Sequence, residues 1–210
     1  MCGRYSALTE EEIIEIREVI REVSLRIAVD DFESSKILPK REEIAPTDNA
    51  PVITGGADST VSFEHLRWGF EKWDGKGVII NARSETIETK SMFKKLLIAG
   101  RCVVPAGEYY EWEKQGSKKV KHFIKDKEGN ILFMAGLYRE AAEGREFVII
   151  TKEAYGDAAK IHDRMPVLLR VDQIEPWLNG TLTPDEIIKI EFNTSVAPCI
   201  KEGEFTQLTL

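Results

Sequence analysis

The chain has 210 residues, 42% hydrophobic and 31% charged, which is typical of a globular protein large enough to bury a core without disulfides. No apolar stretch approaches the roughly 18 residues of a membrane span, and no secretory signal is visible, so we expect a cytoplasmic protein. The net charge of −7 argues against a globally basic nucleic-acid-binding protein, although a local basic groove remains compatible with it.

The first predicted element is an amphipathic helix over residues 10–28. Thr9 and Glu12 have the spacing of a capping box, and isoleucines then recur at helical intervals. Short apolar runs next predict strands at 50–53, 61–66 and 78–81. A second helix is predicted over 91–99, closed by Gly100.

The second half of the chain is predicted to be richer in strands. These are expected at 101–105, 109–111, 121–124, 131–137, 146–151 and 167–169. Helices are predicted at 154–161, 171–178 and 184–192, the last with Thr183 as N-cap and Pro184 in its first turn. The tail after Phe192 matches no element. Many short strands with helices around them predict one α+β domain over residues 1–210, with a mostly antiparallel, barrel-like sheet.

Three cysteines are present, Cys2, Cys102 and Cys199, and none forms a CxxC pair. An odd, sparse set does not fit a disulfide framework, and the spacing does not fit a structural zinc site. We therefore expect no metal and no cofactor.

Cys2 directly follows the initiator methionine, which aminopeptidases normally remove before so small a residue. The mature chain would then carry an α-amine and a thiol on one residue, both partly nucleophilic at neutral pH. Such a 1,2-aminothiol captures aldehydes, because the amine forms an imine and the thiolate closes a thiazolidine ring. The alternative is that Cys2 is only a buried small apolar residue.

Polar residues follow the predicted strand that ends near Asn81. Asn81 offers donors and an acceptor that suit the orientation of an amine, and Arg83 could clamp a phosphate. The alternative is an ordinary strand end with solvated polar side chains.

Two further residues could exchange protons. Glu111 lies between Tyr110 and Trp112, where burial would raise the pKa of its carboxyl, unless the strand alternates and Glu111 faces water. His162 lies near a predicted helix end, where it could serve proton exchange near neutrality or have a structural role.

Taken together, these segments resemble the SOS-response-associated peptidase family, also described as abasic-site processing proteins. The resemblance rests on MCGRY at the start, INAR at 80–83, YEW at 110–112 and IHDRMP at 161–166, in that order. AP at 45–46, RWGF at 67–70 and MFK at 92–94 are also in register, so nearly the whole chain up to Pro166 is covered.

The resemblance implies a function and a role for each site residue. Cys2 would form a thiazolidine crosslink with the ring-opened abasic sugar, and Asn81 would orient its amine. Glu111 would transfer protons, and His162 would promote opening of the sugar ring. The residues that match DNA-contacting positions of the family are Arg4, Trp73, Arg83 and Arg164. The implied partner is single-stranded DNA with abasic sites. The resemblance does not decide the oligomeric state, and we take a monomer as the default expectation.

The chain departs from the family pattern at three positions. Glu43 stands where the family often has Asn, Ser91 where it often has Arg, and Met165 where a second Arg often follows HDR. Each change removes a DNA contact or adds negative charge, so we expect weaker or more salt-sensitive DNA binding.

Other functions remain open at this point. Covalent capture would allow lyase-type strand chemistry through the imine as a side activity. A thiol peptidase or amidase would instead use Cys2 as nucleophile, with Glu111 and His162 as acid and base. Self-processing would have only Met1 to remove. A non-catalytic single-stranded-DNA-binding module is the third interpretation.

Overall fold

The computed structural model describes residues 2–23, 43–55 and 61–199. The helices are α1 (Glu10–Val23), α2 (Ser91–Ala99), α3 (Val171–Leu178) and α4 (Pro184–Ile187). The first eight strands are β1 (Tyr5–Ser6), β2 (Glu43–Ile44), β3 (Asn49–Gly55), β4 (Val61–Trp68), β5 (Phe70–Glu71), β6 (Val78–Ile79), β7 (Asn81–Arg83) and β8 (Arg101–Ala106). The remaining strands are β9 (Glu108–Gln115), β10 (Lys118–Asp126), β11 (Leu132–Ala141), β12 (Gly144–Glu153), β13 (Arg164–Pro166), β14 (Leu168–Leu169) and β15 (Thr194–Pro198).

A closed barrel forms the centre of the fold. Strands β12, β4, β3, β8 and β11 pair in that order, and β11 pairs again with β12 to close the ring. All these pairs are antiparallel except β12 with β4. The short strands β7 and β13 add to β12, β7 in parallel and β13 antiparallel. The predicted α+β class with a mostly antiparallel, barrel-like sheet is therefore confirmed.

A second sheet packs against one side of the barrel and carries the N-terminal strand. Its order is β15-β10-β9-β1-β2, and Tyr5 of β1 lies opposite Tyr109 of β9 and Ile44 of β2. Because side chains alternate along a strand, barrel strands contribute to two cores. In β8, for example, Val103 belongs to the core shared with the helices, whereas Cys102 and Val104 belong to the core shared with the second sheet.

Four of the five predicted helices start where they were expected, at residues 10, 91, 171 and 184. The Thr9 amide donates to the Glu12 carboxylate at 2.7 Å, and the Glu12 amide donates to the Thr9 hydroxyl at 3.2 Å, so α1 begins with a capping box. The predicted end of this helix lies outside the described residues. The second predicted helix has the bounds of α2, and Thr183 caps α4.

Two predicted helices are corrected. Over 154–161 only a 3-10 turn forms, at Ala158–Lys160, because Gly156 has a φ of 60°, which is left-handed and interrupts a helix. The helix predicted at 184–192 ends at Ile187. Beyond it the amides of Lys189 and Ile190 bond carbonyls three residues back, as in a 3-10 turn, and the Lys152 ammonium bonds the carbonyls of Ile188 and Ile190 at 2.9 and 2.6 Å.

The tail also differs from expectation. Residues 194–198, for which no element was predicted, form β15 and pair with β10 from Asp126 to His122. Within the described ranges, no helix has the length and apolar character that a membrane crossing requires.

Candidate active site

Cys2 lies in the core between the barrel and the second sheet and has no exposed surface. Its thiol donates to the Arg4 carbonyl at 3.8 Å, and the Asn81 side-chain amide donates to the Cys2 carbonyl at 2.9 Å. The N-terminal segment is thus fixed to β7, which pairs with the barrel strand β12. The resemblance and the fold agree in bringing Cys2 and Asn81 together, although they are 79 residues apart.

The backbone of the N-terminal segment is held by β9. The Tyr110 amide donates to the Arg4 carbonyl at 2.9 Å, one residue before the Tyr5–Tyr109 register pair. Since β9 also carries Glu111, one strand both anchors the N-terminal segment and supplies an acidic side chain to the same region.

Glu111 is buried, with 4% of its surface exposed. Burial raises the pKa of its carboxyl, while the charge of His162 acts in the opposite direction. The alternative in which strand alternation points Glu111 to water is therefore wrong. Burial, and then the negative charge of Glu111, also raise the pKa of the Cys2 thiol far above its usual range.

His162 follows the 3-10 turn and is partly exposed, with 31% of its side-chain surface accessible. Its Nδ1 accepts a hydrogen bond from the Arg164 amide at 3.0 Å and lies 2.7 Å from the Asp163 carboxylate. The first contact needs an Nδ1 without a proton and the second needs a proton on Nδ1, so the two contacts are alternatives that depend on the tautomer of the ring.

The predicted cationic residues lie in different environments. Arg83 is exposed at the end of β7, two residues after Asn81 and so on the same face of that strand. Arg4 has 39% of its side chain exposed, and its Nη1 lies 4.0 Å from Glu43. Arg164 is only 11% exposed and forms a two-bond pair with Glu85, at 2.5 and 2.9 Å, while also donating to the Thr151 carbonyl.

Trp73 lies on the hairpin between β5 and β6 and is 98% exposed. The turn is closed by the Gly75 amide, which donates to the Lys72 carbonyl at 2.9 Å. Trp73 lines an open groove of about 700 Å³ together with Ile79, Met92 and Arg139. A fully exposed Trp next to such a groove is an unusual surface, suited to stacking with a flat ligand.

Residues 1–198 match the family described as SOS response associated peptidase (SRAP). The chain belongs to this family. A similar protein is the abasic site processing protein YoaM of Bacillus subtilis, 32% identical over 90% of this chain and 84% of its own length. Another is the abasic site processing protein YedK of Escherichia coli, 28% identical over 98% of this chain and 90% of its own length.

Solved structures share the same fold. A protein from Bacteroides thetaiotaomicron superposes with a TM-score of 0.73 at 24% identity, covering 94% of this chain and 91% of the other. A phage-related protein from Bordetella bronchiseptica gives 0.73 at 24% identity over 95% of both chains. The same fold thus extends over nearly the whole length of these chains.

The three departures from the SRAP pattern lie in different places. Glu43 forms an ion pair with Lys121, whose ammonium also lies 3.8 Å from the centre of the Tyr110 ring. Ser91 is exposed at the start of α2. Met165 is fully buried in the core that contains Cys2, so it fills volume there rather than facing a ligand.

Sequence reasoning missed several residues of this region. Lys121 on β10 pairs with Glu43 on β2, although β9 and β1 lie between these strands in the sheet, and this pairing has no local signal in the sequence. Tyr5 and Tyr109 lie buried beside Cys2. Tyr109 could have been noticed, because it lies two residues before Glu111 and so on the same strand face. Among the described residues, no group of three His, Cys, Asp or Glu side chains is arranged to hold a metal.

Proposed function

We propose that this SRAP-family protein, once Met1 is removed, captures abasic sites in single-stranded DNA as a covalent thiazolidine on Cys2. The observation that carries the proposal is the cluster around Cys2. Asn81 donates to the Cys2 carbonyl, and the negative charge of the buried Glu111 raises the pKa of the Cys2 thiol. The names of the relatives, abasic site processing proteins, support the same substrate.

The proposed reaction begins at the Cys2 nitrogen. Asn81 already donates to the Cys2 carbonyl, and its buried Oδ1 has no hydrogen-bond partner in the described part of the chain. That oxygen is an acceptor for a free Cys2 amine and would aim the nitrogen lone pair at the aldehyde. His162 would donate to the sugar oxygen as the ring opens, and Glu111 would accept protons during imine formation.

The raised pKa of the Cys2 thiol also supports a reaction in which the amine reacts before the sulfur. A thiol peptidase needs a thiol whose pKa is lowered, so that thiolate is present before substrate arrives. Here burial and Glu111 raise the pKa of the Cys2 thiol. A reaction that starts at the amine and uses the sulfur only after the imine has formed suits this environment better.

Single-stranded DNA fits the surface outside the cluster. Arg83 is exposed beside Asn81 and could hold a phosphate, and Trp73 offers a free aromatic face to an unstacked base. Arg164, which is paired with Glu85, would reach a phosphate only by leaving that carboxylate. We therefore assign the main backbone contacts to Arg83 and Arg4.

The test uses protein whose lack of Met1 is confirmed by intact mass. It is incubated with a single-stranded oligonucleotide that carries one abasic site and is then run on a denaturing gel. We expect a shifted band that is absent with undamaged DNA and absent for Cys2→Ala. Peptide cleavage without a shifted band would instead support a peptidase. Binding on a native gel alone would support a DNA-binding module, and either result would overturn the proposal.

Glu43 is expected to weaken DNA binding by holding Lys121 and lying near Arg4. Glu43→Gln should therefore tighten binding of an undamaged single strand several-fold at low salt. The plot of log affinity against log salt should steepen by up to about 0.7 for each cation released. Fluorescence anisotropy at several salt concentrations measures both effects. Glu128→Gln, at an exposed turn, removes the same charge and serves as the control. Equal effects of the two variants would contradict a local role for Glu43.

A further inference from the structure

The hairpin formed by β5 and β6 carries Trp73 at its exposed tip. Each of its strands is two residues long, and together they form a separate two-stranded sheet. A hairpin of this length is at best marginally stable on its own. The Trp73 side chain is 98% exposed, so its own packing does not hold the hairpin in place. The direction of Trp73 therefore depends on what fixes the hairpin at its base.

The base of the hairpin is fixed by Glu146 on β12. Its side chain is buried, and its strand neighbours are Arg67 on β4 and Arg139 on β11. Nη1 of Arg67 lies 3.1 Å from Oε1 of Glu146, and Nε and Nη2 of Arg139 lie 3.0 and 2.8 Å from Oε2. One carboxylate thus joins three adjacent barrel strands.

The same charged groups also bind the backbone of β5. The Glu71 amide donates to Oε2 of Glu146 at 3.3 Å, and Nη2 of Arg139 donates to the Glu71 carbonyl at 2.9 Å. The Arg139 guanidinium also lies 4.5 Å from the centre of the ring of Phe70, which is fully buried. Both backbone polar groups of Glu71 are therefore bound, two residues before Trp73.

Stability alone does not account for a buried ion cluster, because the cost of removing charges from water largely offsets their attraction. What the Glu146 carboxylate supplies, and an apolar residue of similar size would not, is an acceptor for the Glu71 amide. We propose that Glu146 is a positioning residue, which fixes the base of the hairpin and thereby holds Trp73 where it stacks on an unpaired base of bound DNA. This inference rests on the proposed function and concerns DNA binding before the covalent step.

The test is the affinity of Glu146→Gln for undamaged single-stranded DNA, measured by fluorescence anisotropy. Removal of a negative charge should by itself tighten DNA binding. We expect the opposite, a loss of about threefold to tenfold, which is part of the contribution of one stacked base. The reason is that glutamine has one acceptor oxygen instead of two, so it cannot serve both guanidiniums and the Glu71 amide.

Glu140→Gln is the matched control. It removes the same charge beside the same groove, from a side chain that is 71% exposed. It should bind DNA as tightly as wild type or more tightly.

Combination with Trp73→Ala distinguishes positioning from a general loss of structure. Trp73→Ala should weaken binding by roughly fivefold to a hundredfold, the range expected for one stacked base. In that background Glu146→Gln should weaken binding no further, because the stacking that it supports is already gone. A protein that is only partly folded would instead lose affinity in both backgrounds.

Arg139→Lys gives a second measurement if Glu146→Gln is too unstable to purify. It keeps the positive charge but loses the planar fork that reaches both the Glu146 carboxylate and the Glu71 carbonyl. It should weaken binding in the same direction, again only while Trp73 is present.

Any of three results would overturn the inference. These are a positioning variant that binds as tightly as wild type, an equal loss with and without Trp73, and wild-type affinity for Trp73→Ala. None of them bears on covalent capture, which is measured on the denaturing gel. If wild-type protein forms no adduct on that gel, the proposed capture fails, while the affinities still decide whether Glu146 acts through Trp73.

Discussion

Protein with Cys2 replaced by serine is expected to form an imine that borohydride traps, and to lose the adduct that survives denaturation. The amine of residue 2 is unchanged in this variant, and Asn81 bonds the backbone carbonyl rather than the side chain. A hydroxyl is a much weaker nucleophile than a thiol and closes such a five-membered ring less favourably. The first step should therefore continue without the second.

The measurement compares two gels run from the same reactions, one with borohydride and one without. Cys199→Ser is the control, because Cys199 is a partly exposed thiol just after β15. It should give the wild-type result on both gels. A denaturant-stable adduct of equal yield from Cys2→Ser would show that sulfur is not needed and would remove the thiazolidine from the proposal.

The sequence carried much of the information about the candidate site. Cys2, Asn81, Glu111 and His162 were each picked out by local pattern and then grouped by motif order. What local reasoning could not decide was the direction of Glu111, since a strand of alternating aromatic and polar residues fits either face. The burial of Glu111 depends on tertiary packing, and the pairing of β9 with β1 that brings it to the N-terminal segment joins segments about a hundred residues apart in the chain.

Other features were beyond local reasoning for the same reason. The pairing of Arg164 with Glu85 joins residues 79 positions apart, and so an arginine predicted to face DNA has a protein partner. Residues 154–161 have a helical composition, yet the segment is fixed by a hydrogen bond from the Ala154 amide to the Asp163 carbonyl at 2.9 Å and by the left-handed Gly156. A tertiary contact thus occupies Arg164, and in the second case a left-handed glycine and a non-local hydrogen bond outweigh helix propensity.

Glu111→Gln should slow capture by about a hundredfold or more, since positioned acid–base groups commonly contribute that much. The amide has nearly the same shape but accepts no proton at neutral pH. Affinity for undamaged single-stranded DNA should change by less than twofold, because Glu111 is buried and its replacement removes no surface contact. Single-turnover crosslinking and anisotropy on the same preparations measure the two quantities. Equal losses of rate and affinity would contradict a role in proton transfer.

The pH dependence of the capture rate should differ between wild type and Glu111→Gln. Burial raises the pKa of Glu111, so the wild-type capture rate should climb as pH rises through that value and the base becomes ionised. Glu111→Gln should lack this limb. Glu113→Gln, on the same strand but more exposed, is the control and should keep it.

As pH rises, the stability of the folded protein should fall over the range in which the capture rate increases. A carboxyl whose pKa is higher in the folded state than in the unfolded state adds stability below its unfolded pKa and loses it as pH rises through the folded pKa. Above the folded pKa the ionised Glu111 therefore costs stability, and there Glu111→Gln should melt at a higher temperature than wild type. Below the unfolded pKa the two proteins should converge. Melting curves from acid to neutral pH test this, and a Gln variant that is less stable at neutral pH would show that Glu111 is kept for structure rather than for proton transfer.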